Sequence, residues 1–68
     1  MGSQIQLGKN IKKARQKEEM TQAEVAQKAN IHVNYFARIE RGEENPSIDI
    51  IEKIAKALKV KSSEILPF

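Results

Sequence analysis

From Ile48 to Leu58 apolar side chains return at every third or fourth position, as Ile48, Ile51, Ile54, Ala55 and Leu58, with Asp49, Glu52, Lys53 and Lys56 between them. That period belongs to the α-helix and not to a strand, so the stretch is expected to be an amphipathic helix with this whole stripe turned inward. Ser47 stands in front of it as an N-cap, its hydroxyl suited to an unpaired amide of the first turn. Such a stripe needs opposing apolar faces, and the rest of the chain has to supply them.

It does so in short helical segments. Leu7, Ile11 and Ala14 form one stripe within a first helix over about residues 4–17. Thr21-Gln22-Ala23-Glu24 has the form of a capping box, in which hydroxyl and carboxylate satisfy orphan amides reciprocally, so a second helix begins near Gln22. Val25 and Ala26 face inward there, and small Ala29 allows the next helix close. Asn30 can take the left-handed conformation that ends a helix. Residues 33–40 resume the pattern, with Phe36 and Ile39 on one face and Asn34 and Arg38 on another, until Gly42 stops it. Glu43-Glu44-Asn45-Pro46 reads as a loop. Val60 and a last short helix over 63–66 close the bundle before Pro67. The expectation is an all-α, compact five-helix domain over residues 4–68, with Met1-Gly2-Ser3 as a leader of no structural weight.

Composition narrows the chemistry. A domain of 68 residues buries only about 60% of its unfolded surface. With no cysteine and one histidine, His32, it has neither a disulfide framework nor the ligands of a zinc site, so no metal and no cofactor are expected. No nucleophile–base pair or glycine-rich phosphate loop is present, which argues against an enzyme. No apolar run approaches about 18 residues and no signal peptide is visible, so a cytoplasmic protein without membrane contact is expected. Nothing suggests a site for a small-molecule effector. The net charge is +3. Lys9, Lys12, Lys13, Arg15 and Lys17 crowd one acid-free stretch, which on charge alone is either a footprint for phosphates or a solvated helix face.

Leu7-Gly8-Lys9-Asn10-Ile11, Thr21 to Ala26, Tyr35-Phe36-Ala37-Arg38-Ile39-Glu40-Arg41-Gly42, Pro46-Ser47-Ile48 and Ile54 to Leu58 together resemble the lambda-repressor and Cro family of helix-turn-helix domains, also called XRE-like. The resemblance runs in order over nearly the whole chain. It implies that the second and third helices form the helix-turn-helix, and that the third lies in the major groove of an operator. It also implies a sequence-specific transcriptional regulator of repressor type, prokaryotic or phage-encoded, commonly a two-fold dimer on a palindromic site. An antitoxin or a restriction-modification controller would share the same domain. So would a helix-turn-helix-fold module that binds a protein and no DNA.

Carried over residue by residue, the resemblance makes Val33, Asn34 and Arg38 the base-contacting candidates. Arginine pairs bidentately with guanine, asparagine with adenine, and valine touches a thymine methyl. Gln22, Tyr35, His32, Lys12, Lys13 and Asn45 become candidates for the DNA backbone. Each has a plainer alternative: Arg38 paired with Glu43 or Glu44, Asn34 as a polar first-turn residue, Val33 or Tyr35 simply packing, His32 as a surface residue. Arg15 and Glu40 are brought together only by the resemblance, as an ion pair joining the first helix to the end of the third. The family usually has Ser or Thr where His32 stands and Gly where Asn30 stands, so both caps are expected to be weakened. Ile50, Leu66 and Phe68 exceed what a monomer surface needs and suggest a homodimer contact; alternatively Phe68 folds back over the first helix.

Overall fold

The computed structural model describes residues 2–68. It contains α1 (Gly2–Lys17), α2 (Gln22–Ala29), α3 (Val33–Glu40), α4 (Ile48–Ala57) and α5 (Ser62–Ile65), with no strand among the described residues. The five-helix, all-α expectation is therefore met. The differences lie at the ends: α1 already begins at Gly2, and α5 sits one position ahead of the predicted segment.

One core joins every helix. Leu7 and Ile11 of α1 meet Val25, Ala26 and Ala29 of α2, Phe36 and Ile39 of α3, Ile51, Ile54 and Ala55 of α4, and Leu58 and Ile65 beyond them. The helices pack in pairs, α2 on α4 and α1 on α3, with α2 also against α3. Ala26 and Ala29 keep α2 thin on its inner side, which lets α3 and α4 approach it. One member of the expected α4 stripe departs from it: Ile48 is 57% exposed. It is the first residue of α4, past the edge of the core, and lines an open groove with Leu66, Pro67 and Phe68.

Four helices end by the same device. Glu19, Asn30, Gly42 and Lys59 all have positive φ, between 56° and 76°. After each, the next N–H turns back to a carbonyl of the closing helix: Met20 to Arg15, Ile31 to Ala26, Glu43 to Arg38 and Val60 to Ala55. These bonds satisfy carbonyls that a helix end otherwise leaves open. Asn30 thus caps α2 as its residue type predicts. Glu19 and Lys59 take the same conformation against the steric preference of their Cβ atoms.

The starts are as well defined. Thr21 Oγ1 accepts from the Glu24 N–H at 3.0 Å, and Glu24 Oε1 accepts from the Thr21 N–H at 2.8 Å. The Thr21 N–H, and then its hydroxyl, hold the Glu24 carboxyl below the usual carboxylate range. Ser47 Oγ accepts from the Ile50 N–H at the start of α4.

Candidate nucleic-acid interface

The site is built on α3, a helix of two unlike sides. Phe36 and Ile39 are buried in the core and fix its depth. Val33 and Asn34 are exposed at its start, and Arg38 lies one turn after Asn34 on the same face with its side chain 42% exposed. The three base-contacting candidates thus lie on the part of α3 that the core leaves open. Tyr35 is half-buried against the core, and its ring centre is 5.9 Å from the Arg38 guanidinium carbon, close enough for a cation–π contact.

The end of α3 is tied down by charge. Arg15 Nε donates to Glu40 Oε2 at 2.7 Å and its Nη2 to Glu40 Oε1 at 3.2 Å, with the two side chains 13% and 3% exposed. Arg15 Nη1 also donates to the Met20 carbonyl at 3.0 Å. Gln22 completes the cluster, its Nε2 donating to Glu40 Oε1 at 2.8 Å. Glu40 therefore collects donors from α1 and α2 while standing on α3, and one carboxylate couples the three helices. No local signal links Gln22 to Glu40, so sequence reasoning assigned Gln22 outward only. The N–H groups of Gln22 and Ala23 belong to the first turn of α2, where a helix offers them no partner of its own.

His32 occupies the N-cap of α3. Its Nδ1 accepts from the Asn34 N–H at 3.0 Å, so the imidazole replaces the hydroxyl expected there. An accepting Nδ1 leaves the ring proton of the neutral form on Nε2, the nitrogen facing away from that bond. The cap position is therefore filled despite the departure from the usual hydroxyl residue: a ring nitrogen accepts the backbone N–H there.

The acidic loop after α3 is internally compensated. Arg38 Nε donates to Glu44 Oε2 at 2.9 Å, while Arg41 binds both oxygens of Glu43. The Arg41 guanidinium holds the Glu43 carboxyl below its usual range. Asn45 is exposed in the same loop. Lys12 and Lys13 are exposed on α1, whereas Arg15 of the same basic stretch is committed to Glu40. Of the apolar residues singled out for self-association, Ile50 and Leu66 pack partly against the core. Phe68 is 90% exposed and does not fold back over α1. Among the described residues no group of three or more acidic or histidine side chains could hold a metal ion, and no helix is long and apolar enough to cross a membrane.

Known proteins resemble this chain in sequence and in fold. Residues 11–65 match the helix-turn-helix family model. The chain is 40% identical over 60 residues to the immunity repressor protein of Bacillus phage phi105, a match covering 88% of this chain and 42% of that protein. It is 40% identical over 62 residues to control protein C.BamHI of Bacillus amyloliquefaciens, covering 90% of this chain and 76% of the relative. The chain thus spans less than half the length of the phage repressor and about three quarters of the control protein. Among solved structures, the restriction-modification controller C.AhdI of Aeromonas hydrophila superimposes with a TM-score of 0.94 at 24% identity, over 97% of this chain and 100% of that one. At that identity the likeness is one of fold. The controller C.Esp1396I gives a TM-score of 0.86 at 34% identity, over 90% of this chain and 80% of that one.

Proposed function

The chain belongs to the helix-turn-helix family, and on that premise we propose that it is a repressor-type transcriptional regulator, not an enzyme, that reads double-stranded DNA with α3. The observation that carries this reading is the division of α3 into two sides. Phe36, Ile39 and Glu40 hold it from behind, while Val33 and Asn34 are exposed in front and Arg38 lies on the same open side, its Nε paired with Glu44. A helix seated this rigidly presents base-reading groups at fixed spacing, which specificity requires.

In the proposed complex Arg38 pairs with a guanine, Asn34 with an adenine, and Val33 touches a thymine methyl. Gln22 and the start of α2 take one phosphate, and His32 donates to the backbone through Nε2. Tyr35, Lys12, Lys13 and Asn45 complete the backbone contacts. These fix register and supply most of the salt-dependent affinity. Two copies associate through the apolar residues Ile50, Leu66 and Phe68, so that two α3 helices address inverted half-sites. The setting is the cytoplasm of a bacterium or of a phage-infected cell.

A narrower reading, control of a restriction-modification system, is favoured by the likeness to C.BamHI, of which the match covers 76%. It uses the same DNA-reading surface and differs in the genes regulated.

Selection of bound duplexes from a random pool tests the proposal. The expected product is one enriched motif with inverted half-sites about 10–10.5 base pairs apart centre to centre, bound with an affinity that falls steeply with salt. A single enriched half-site would overturn the dimer. No enrichment and no salt-sensitive binding would overturn DNA reading and leave a protein-binding module.

A further inference from the structure

We propose that Glu44 is a positioning residue for base recognition: by holding Arg38 at Nε, it presents the two terminal nitrogens of that guanidinium to a guanine. The inference rests on the reading of Arg38 as a base-contacting residue and adds to it a partner from the acidic loop.

All three arginines of the chain pair with a glutamate, but not alike. Arg15 commits Nε and Nη2 to Glu40 and Nη1 to Met20, so its donors are absorbed by the fold. Arg41 commits Nε and Nη2 to both oxygens of Glu43. Arg38 gives only Nε, to Glu44 Oε2 at 2.9 Å. Its Nη1 and Nη2 make no hydrogen bond to any described residue. Those terminal nitrogens are a pair of donors spaced to meet guanine O6 and N7.

The guanidinium is thus gripped on the edge that a guanine does not need. The Tyr35 ring, 5.9 Å from its central carbon, restrains it from a second side. An ion pair with side chains 42% and 34% exposed adds little to stability. Its consequence is orientation: an arginine already held loses less rotamer freedom when DNA binds. The Glu44 carboxylate also repels phosphates, so it lowers affinity for DNA of any sequence. Glu44 therefore trades general affinity for discrimination.

The test uses the full chain as wild type, Arg38→Ala, Glu44→Ala and the double variant, with thermal unfolding checked for each. Binding is measured to the selected site and to versions in which each G·C pair is replaced by A·T. Arg38→Ala is expected to erase the preference at one G·C position. Glu44→Ala should reduce the preference at that same position by about twofold to tenfold, while affinity for unrelated DNA rises. In the Arg38→Ala background, Glu44→Ala should leave the preference ratios unchanged. If Glu44→Ala raises affinity for all duplexes but keeps the ratio, Glu44 is only a repulsive charge and the proposal is overturned. If its effect on the ratio persists without Arg38, Glu44 does not act through that residue and the proposal is equally overturned. If Arg38→Ala changes the preference at no position, the base-reading role of Arg38 fails first and takes the proposal with it; the two failures are distinguished by which variant is silent.

Discussion

Glu40→Ala is expected to destabilise the domain by about 3–5 kcal/mol, because it leaves the Arg15 guanidinium buried beside Met20 with no counter-charge. A chain of this length has a total stability of roughly 3–10 kcal/mol, so the variant should be largely unfolded or melt far below the wild type. The size of the effect follows from the geometry. Glu40 accepts from Arg15 Nε, Arg15 Nη2 and Gln22 Nε2, and its side chain is only 3% exposed. Water cannot readily replace those partners. Arg15→Ala should cost a similar amount, with the carboxylate now stranded. Joint replacement by apolar residues, Arg15→Met with Glu40→Leu, should be milder than either single truncation, since no charge remains buried. Denaturant unfolding of the three variants measures this. Equal and additive losses would mean that the pair is two independent charges.

Gly8→Ala is expected to be nearly as damaging, at about 3 kcal/mol or more, the upper end of what overpacking costs. A Cβ at Gly8 would stand 2.4 Å from the Glu40 carbonyl oxygen and 2.6 Å from that of Ile39. Both atoms belong to the backbone of α3, so no flexible side chain can move aside. Helix α1 would have to withdraw from α3, lengthening the Arg15–Glu40 contact and tilting the surface that carries Asn34 and Arg38. The variant should therefore lose both melting temperature and DNA affinity. Unfolding followed by circular dichroism reads the first; an unchanged transition would refute the close approach. Glycine has a cost of its own inside a helix, which the α1–α3 contact offsets here.

Both predictions turn on contacts between residues far apart in the chain, and this is where the sequence was least explicit. The α4 stripe, the Thr21–Glu24 capping box, the Asn30 stop and the inward Phe36 and Ile39 are local patterns, and local patterns are what periodicity and capping chemistry can read. Arg15 and Glu40 are 25 positions apart. No spacing rule connects them, and only the family resemblance suggested the pair. The contact of Gln22 with Glu40 had no signal at all. Glu19 and Lys59 were equally silent, because nothing in their residue type favours the left-handed conformation that each adopts at a helix end. His32 gave no local sign of its partner either: the usual preference for a hydroxyl at that position does not point to an imidazole nitrogen accepting the Asn34 N–H. Ile48 fitted the stripe in sequence but falls beyond the edge of the core in space. The outward set on α3 was legible as an arrangement, since the positions of Phe36 and Ile39 dictate which residues remain free.

The central claim is that α3 discriminates between base sequences through Arg38, and the ratio of affinities for the selected operator and for random DNA tests it most directly. Arg38→Ala should weaken operator binding by about 1–3 kcal/mol and binding to random duplexes far less, so the ratio collapses. An equal loss on both DNAs would make Arg38 a phosphate clamp and contradict the account.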